Sequence, residues 1–169
     1  MKFTIVYSTA TGNTENIAER LQQLIPSSEL KDLDYVGQTS DLTSAEALVC
    51  CIPTWNTGAP ENRSGTSWDQ HLDNIRGLDF SKTVVAIVGL GDSAAFSKYF
   101  CDAMEELYTA FLKAGATIIG KVPIDGYIFD HSKSNIDGLF CGLPIDEDNE
   151  SEKTEARLSQ WAAQITSQV

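Results

Sequence analysis

The stretch Phe3-Thr4-Ile5-Val6-Tyr7-Ser8-Thr9-Ala10-Thr11-Gly12-Asn13-Thr14 decides the fold of this chain. Its first five residues form a continuous, mostly apolar run, which is typical of a strand that is covered on both faces. The next seven are rich in hydroxyl groups and lead directly into a segment with helical periodicity. A buried strand followed at once by a helix predicts one unit of an open α/β sheet.

The rest of the chain repeats this pattern of strand and helix. Residues 47–52 and 84–89 are apolar in the same continuous way, so they predict further strands of a buried parallel sheet. Residues 29–33 are short and charged, which favours an edge strand. Three helices are predicted from their apolar periodicity, the second ending at Gly115 and the last covering about 151–167. Their apolar positions are Ile17, Leu21 and Leu24; then Phe100, Met104, Leu107, Tyr108 and Phe111; then Leu158, Trp161, Ala162 and Ile165.

A fifth strand is predicted in two pieces. Ile118-Ile119-Gly120 starts it and residues 139–143 form the second piece, so an insertion over about 123–144 should split the strand. Strands and helices joined by right-handed crossovers make a doubly wound open sheet. The length of 169 residues is enough for one substantial core, so one domain over 1–169 is expected.

Composition limits the possible partners and compartments. A formal charge of -12 argues against nucleic acid and anionic membranes, because like charges repel over a Debye length of ~8 to 10 Å. A protein with a basic docking face is the better partner. No apolar run approaches the ~20 residues of a membrane span, so we expect neither a signal peptide nor a membrane helix. Cys50, Cys51, Cys101 and Cys141 lack zinc or thioredoxin spacing, which predicts reduced thiols in a cytoplasmic protein.

The loop after the first strand, residues 8–14, is a candidate anion site; we call it the first loop. A helix N-terminus presents unpaired N–H groups and a positive dipole end, and the loop adds several hydroxyl donors. It contains no Lys or Arg and matches neither the Walker pattern nor the GxGxxG fingerprint. If the loop binds a nucleotide, the expected group is therefore a phosphate monoester held by neutral donors. A plain strand-to-helix turn, capped by Thr11 or Asn13, stays open as the alternative.

Two further loops should emerge at the same edge of the sheet, where open α/β sheets bind ligands. The second loop, Pro53-Thr54-Trp55-Asn56-Thr57-Gly58, carries a tryptophan that could stack on a ligand or simply cover the core. The third loop, residues 90–100, carries Phe96 and Tyr99, although its Gly91-Asp92 pair could form only an Asx turn before the next helix, with Asp92 as the cap. Together the three loops predict a phosphate cradle with aromatic walls for a flat ring.

These motifs, in this order, resemble the long-chain flavodoxin family over nearly the whole chain. The first loop is similar to that family's T-x-T-G-x-T motif, and the second to the loop whose tryptophan stacks on the inner face of the flavin. Leu90-Gly91-Asp92, followed by Phe100-Cys101-Asp102-Ala103, resembles the third flavin loop, and residues 142–149 resemble the segment after the split strand. The resemblance implies a flavodoxin-like, doubly wound, open five-stranded parallel sheet in the order 2-1-3-4-5, with helices on both faces and an insertion in the fifth strand.

The resemblance also implies bound FMN. The family usually has tyrosine on the outer face of the flavin, whereas Phe96 stands at that position here, with Tyr99 as the competing candidate. The peptide Asn56-Thr57 would rotate to accept the proton on flavin N5, and Gly58 beside it would ease the rotation. The implied FMN-binding residues are Ser8, Thr9, Ala10, Thr11, Gly12, Asn13, Thr14, Pro53, Thr54, Trp55, Asn56, Thr57, Gly58, Gly89, Leu90, Gly91, Asp92, Phe96, Tyr99, Phe100, Cys101 and Asp146.

The function implied by the resemblance is a low-potential, one-electron carrier that is not itself an enzyme. It would work as a monomer with ferredoxin-NADP reductase, photosystem I or another ferredoxin-dependent enzyme. Nearby carboxylates would disfavour the second electron by repulsion, although each could equally be a solvated surface charge. The candidates are Glu61, Asp92, Asp102 and Asp146.

Two other functions are possible on the same strand order. An FMN-dependent NAD(P)H:quinone reductase would turn over substrate by itself, but no second pocket of nicotinamide size is evident in the sequence. A signalling receiver domain would need acidic residues after the first strand and a phospho-accepting Asp after the third, where this chain has Ser8-Thr9 and Pro53-Thr54. His71 and His131 lack ligand spacing and are expected to be surface residues, so no metal site is predicted.

Overall fold

A computed structural model describes residues 1–169. It contains nine strands and four α-helices, together with two short 3-10 turns after the second strand. In chain order the strands are β1 (Phe3–Tyr7), β2 (Glu29–Asp32), β3 (Ala47–Pro53), β4 (Val84–Leu90), β5 (Thr117–Ile119), β6 (Val122–Pro123), β7 (Asn135–Ile136), β8 (Leu139–Phe140) and β9 (Leu143–Ile145). The helices are α1 (Asn13–Leu24), α2 (Trp68–Gly77), α3 (Ala103–Lys113) and α4 (Ser151–Ser167).

The main sheet is parallel and has the expected order β2-β1-β3-β4-β5. Every residue of β1 and β3 is buried, as their continuous apolar sequences predict. The charged strand β2 pairs only with β1 and is therefore an edge strand, which confirms that prediction.

Two pieces share the fifth position of the sheet. β5 pairs with the first half of β4, where Val84 lies opposite Thr117, and β9 pairs with the second half, where Val88 lies opposite Leu143. The prediction that residues 139–143 form the second piece was wrong. Strand β8 belongs instead to a small antiparallel sheet with β6 and β7. The insertion therefore covers residues 120–142 rather than about 123–144.

Helices cover both faces of the sheet, as expected for a doubly wound fold. Apolar side chains of α2 and α3 pack on one face, and those of α1 and α4 pack on the other. The predicted stripe of α1 is wrong at its end: Leu24 is 39% exposed and the next residue, Ile25, is buried. The chain is already extended at Ile25, so that side chain turns inward where helical spacing would place Leu24.

The other predicted stripes lie where the periodicity places them, with one difference. Phe100 precedes α3 in a turn, yet it is fully buried with the residues of that helix. Gly115 ends α3 in the left-handed conformation at φ +89°, as its position in the sequence predicts. All four cysteines are buried free thiols, and burial raises the pKa of each. None of the four helices has both the length and the apolar character that crossing a membrane requires.

Candidate functional site

The three predicted loops meet at the carboxyl ends of β1, β3 and β4. They enclose a cavity of about 210 Å³. Its lining residues are Thr11, Asn13, Thr14, Pro53, Thr54, Trp55, Leu90, Gly91, Asp92, Phe96, Glu147 and Asp148. No Lys or Arg is among them, so the cavity is free of cationic side chains. The cavity therefore lies at the edge of the sheet where open α/β folds bind ligands.

The first loop is built to receive an anion through neutral donors. Gly12, the residue before α1, has φ +97°, a conformation that a residue with a Cβ rarely adopts, and its N–H donates to Thr9 Oγ1 at 2.9 Å. The amides of residues 10, 11, 13, 14 and 15 donate to no protein acceptor. No side chain caps the helix, so neither Thr11 nor Asn13 acts as the N-cap of the alternative interpretation. The loop thus offers free N–H groups at a positive helix end.

The second loop forms one aromatic wall of the cavity. The Trp55 side chain is 50% exposed, so it does not simply cover the core. The amides of Trp55 and Asn56 both donate to the carbonyl of Arg63, at 3.1 and 3.0 Å. Thr54 Oγ1 accepts the N–H of Ala103 at 3.0 Å, which joins the loop to the start of α3.

The third loop contributes to the cavity lining the residue Phe96, which is 45% exposed. Its turn is held by Asp92, whose carboxylate accepts the amides of Ala94 and Ala95 and the side-chain amide of Asn149. Partial burial opposes ionisation of Asp92, but these hydrogen bonds outweigh it and keep its pKa below the ordinary value. Asp92 therefore lines the cavity and also makes the Asx-type turn that was considered as an alternative.

Tyr99 does not reach the cavity wall. A Cβ added to Gly58 would lie 3.5 Å from the Tyr99 ring, so that ring rests on the turn of the second loop. The side chains of Phe100 and Cys101, which were also predicted to bind the cofactor, are fully buried and do not line the cavity. The ring of Phe100 packs against Phe129, with centroids 5.7 Å apart.

Other predicted residues lie beside the cavity or support it without lining it. Ala10, Gly12, Asn56 and Thr57 belong to the first and second loops, while Gly89 lies in β4 beneath the third loop. Ser8 is buried, and its hydroxyl accepts the amide of Ser67 at 3.2 Å, so in this structure it supports the first loop and does not line the cavity.

The segment after β9 contributes two acidic residues to the cavity that the sequence prediction did not name. The predicted ligand Asp146 is buried and accepts hydrogen bonds from the amide and hydroxyl of Ser93, so it fixes the third loop. Glu147 and Asp148 line the cavity instead. Burial, and then repulsion from Asp92, Asp146 and Glu147, raise the pKa of Asp148. The run 146–149 was the available signal, but sequence spacing does not show which carboxylate turns inward.

The remaining predicted carboxylates and histidines are outside the cavity. Glu61 is exposed, and Asp102 is buried, with burial raising the pKa of its carboxyl group. His131 is exposed as expected, while His71 is partly buried and its Nδ1 lies 2.7 Å from Thr39 Oγ1. No group of side chains in the structure has the arrangement of a metal site.

The insertion is attached directly to the third loop. The carbonyl of Ser97 accepts the amides of Asp130 and His131 at 2.9 and 3.0 Å, and the Ser97 hydroxyl donates to the Asp130 carboxylate at 2.8 Å. The carbonyls of Phe100 and Cys101 accept hydroxyls from residues 132 and 134 of the insertion. The insertion therefore holds the backbone that carries Phe96.

The fold and the cavity define a doubly wound α/β protein with a candidate ligand site at the carboxyl ends of its strands. The family model described as Flavodoxin matches residues 5–161. The chain is 37% identical over 167 residues to flavodoxin from Buchnera aphidicola subsp. Acyrthosiphon pisum, covering 97% of this chain and 95% of that protein. It is 35% identical over 168 residues to flavodoxin 1 from Escherichia coli K12, covering 98% and 93%. This chain therefore belongs to the flavodoxin family.

A solved structure shows the same relationship in three dimensions. The crystal structure of Fusobacterium nucleatum flavodoxin bound to flavin mononucleotide has a TM-score of 0.87 to this chain at 27% identity. The match covers 99% of this chain and 98% of that one. The split fifth strand and the three loops thus belong to a fold that is shared along the full chain.

Proposed function

We propose that this chain holds one FMN non-covalently and carries electrons singly between redox proteins, as a monomer in the cytoplasm. The observation that carries the proposal is the cavity itself, which is lined by the cation-free first loop and by Trp55 and Phe96. Family membership and the FMN-bound relative support the same cofactor. Candidate partners are ferredoxin-NADP reductase, photosystem I and other ferredoxin-dependent enzymes.

The residues of the cavity fit the two halves of FMN. The free amides of the first loop and the hydroxyls of Thr11 and Thr14 suit a phosphate monoester. Trp55 and Phe96 suit the two faces of a flat ring. Bound FMN would supply a ring that accepts and releases electrons one at a time. The peptide between Asn56 and Thr57 would supply a carbonyl toward the ring edge.

Acidic residues on the cavity wall tune the proposed carrier. Asp92, Glu147 and Asp148 line the same cavity, and no cation lines it to offset them. Added negative charge on a bound ring is therefore disfavoured, because the repulsion acts at low effective dielectric. A free-energy penalty of ~1.4 kcal/mol lowers a one-electron potential by ~59 mV. The arrangement suits a strong reductant.

Mixing the apoprotein with FMN tests the proposal directly. We expect one FMN per chain, released on denaturation, and two separate one-electron steps during stepwise reduction followed by absorbance. Riboflavin should bind much more weakly, because it lacks the phosphate that the first loop would hold. Failure to bind FMN would refute the proposal, and steady NAD(P)H oxidation with a quinone would favour the reductase alternative.

Docking should depend on salt. Complex formation with ferredoxin-NADP reductase, followed by titration calorimetry, should weaken severalfold as salt rises from about 0.01 to 0.1 M, over which the Debye length falls from about 30 to 10 Å. The double variant Glu147→Gln/Asp148→Asn should flatten this dependence. Glu46→Gln removes a charge just before β3, at the opposite edge of the sheet, and should change it less. Binding that is unaffected by salt would contradict the docking proposal.

A further inference from the structure

An almost fully buried ion pair lies beneath the second loop. The side chains of Arg63 and Glu106 are 7% and 4% exposed, and Arg63 Nε lies 3.3 Å from Glu106 Oε1. The guanidinium also donates to the carbonyl of Asp102 at 2.8 Å and to Glu105 at 2.7 Å. Burying two charges is costly unless each is paired and hydrogen-bonded, so such a pair calls for a specific reason.

The Glu106 carboxylate holds the backbone that returns from the second loop. Its two oxygens accept the amides of Asn62 and Arg63, at 2.8 and 2.6 Å. The carbonyl of Arg63 in turn accepts the amides of Trp55 and Asn56. A continuous series of hydrogen bonds therefore runs from a carboxylate on α3 to the two residues that begin the aromatic wall.

Close packing joins the same two segments of chain. A Cβ added to Gly65 would lie 3.0 Å from Trp55 Cβ, so the return segment, residues 62–65, passes directly under the tryptophan. The side chain of Asn56 donates to the carbonyl of Asn62 at 2.8 Å. The position of Trp55 and of the Asn56-Thr57 peptide thus depends on where Glu106 and Arg63 hold residues 62–65.

We propose that Arg63 and Glu106 are positioning residues for the flavin site: they fix the pose of Trp55 and the freedom of the Asn56-Thr57 peptide. Neither side chain lines the cavity, so both act through the backbone of the second loop. Through that pose they set the affinity for FMN and the separation of its two one-electron potentials. This inference rests on the proposed FMN function.

Neighbouring glutamates on α3 provide a matched pair of variants. Glu106→Gln replaces one acceptor oxygen by an NH2 group, which cannot accept the loop amide that it would face. Glu105→Gln makes the same change one residue earlier, where the carboxylate pairs with Arg63 but accepts no loop amide. We expect Glu106→Gln to raise the FMN dissociation constant at least tenfold and to change the separation of the potentials. Glu105→Gln should change the constant less than threefold.

Amide hydrogen exchange of the apoprotein gives a measurement that does not need FMN. In Glu106→Gln the amides of Trp55 and Asn56 should exchange at least tenfold faster, while those of β1 stay at the wild-type rate. Equal effects of the two glutamate variants on exchange and on FMN binding would overturn the inference. Wild-type protein that fails to bind FMN would refute the proposed function instead, and the exchange result would remain interpretable.

A second pair of variants tests the inference even if Glu106→Gln does not fold. Arg63→Lys keeps a cation beside Glu106 but loses the forked contacts to Asp102 and Glu105, so it should retain more of the FMN affinity than a neutral substitution. Arg63→Gln leaves Glu106 buried without a cation and should lose affinity and speed exchange at Trp55. If both variants bind FMN like the wild type, the ion pair does not position the loop.

Discussion

Gly142→Ala should strongly destabilise the protein, because this glycine precedes the second piece of the fifth strand at a point of very close contact. A Cβ at this position would lie 2.1 Å from the carbonyl oxygen of Ile87 and 3.0 Å from Met104 Sδ. The first contact is with the backbone of β4, which cannot turn aside as a flexible side chain could. We expect a loss of about 3 kcal/mol or more in the free energy of unfolding.

The same substitution should also disturb the site. To relieve the contact, β9 must move away from β4, and β9 ends at Ile145, whose carbonyl accepts the amide of Gly91 at 3.1 Å. Asp146 follows directly and holds Ser93. Movement of β9 would therefore loosen the third loop, so FMN affinity should fall together with stability.

Thermal unfolding followed by circular dichroism measures the first effect. A loss of about 3 kcal/mol corresponds to about 6 to 12 °C in Tm for a protein of this size. Gly77→Ala is the matched control, because nothing lies within 4 Å of a Cβ added at the end of α2. That variant should be neutral or slightly stabilising. Equal Tm values for the two variants would show that the pairing of β9 with β4 tolerates the added carbon.

Much of this fold could be predicted because its signals are local. Continuous apolar runs identified β1, β3 and β4, and helical spacing identified α4 with its bounds. The split strand was located less well, since residues 139–140 and 143–145 are similarly apolar and only long-range pairing distinguishes them. The strand pairs of an insertion depend on contacts that periodicity does not encode.

The residues that hold the loops of the site in place were harder to predict than the residues that line the cavity. Trp55 and Phe96 follow strands and could be assigned to loops from the sequence alone. Arg63 and Glu106 are 43 residues apart, and their pairing follows only from the packing of α3 against the second loop. Asp146 and its two acidic neighbours are adjacent in the sequence, yet Asp146 turns into the core and the others line the cavity. Side-chain direction outside regular elements is set by tertiary contacts.

Phe96→Ala should weaken FMN binding by about 10- to 100-fold, because it removes a ring that would cover one face of the flavin. Covering a phenylalanine ring contributes about 1.5 to 3 kcal/mol, and aromatic stacking adds about 0.5 to 1.5 kcal/mol. Only part of the burial free energy is lost in the variant, because the residue is 45% exposed in this structure and FMN can cover only that exposed part. Quenching of flavin fluorescence during titration of the apoprotein would give the dissociation constant.

Tyr99→Ala is the matched control for this prediction, since it removes a second exposed aromatic ring of the same loop. Tyr99 rests on Gly58 and does not line the cavity, so its loss should change the constant only a few-fold. Phe96→Tyr should bind like the wild type, because stacking does not need the hydroxyl group. A large loss in Tyr99→Ala with none in Phe96→Ala would identify Tyr99 as the outer stacking residue.

Hydrogen bonds of the backbone around Phe96 explain why we expect Phe96, and not Tyr99, to stack on the flavin. The Phe96 amide donates to the carbonyl of Asp92 at 3.0 Å, and its own carbonyl accepts the amide of Tyr99 at 3.0 Å. The next residue, Ser97, is held by the insertion through Asp130 and His131. Exchanging the two rings would break these bonds, so the hydrogen-bonded turn favours Phe96 as the wall and Tyr99 as the support of the second loop.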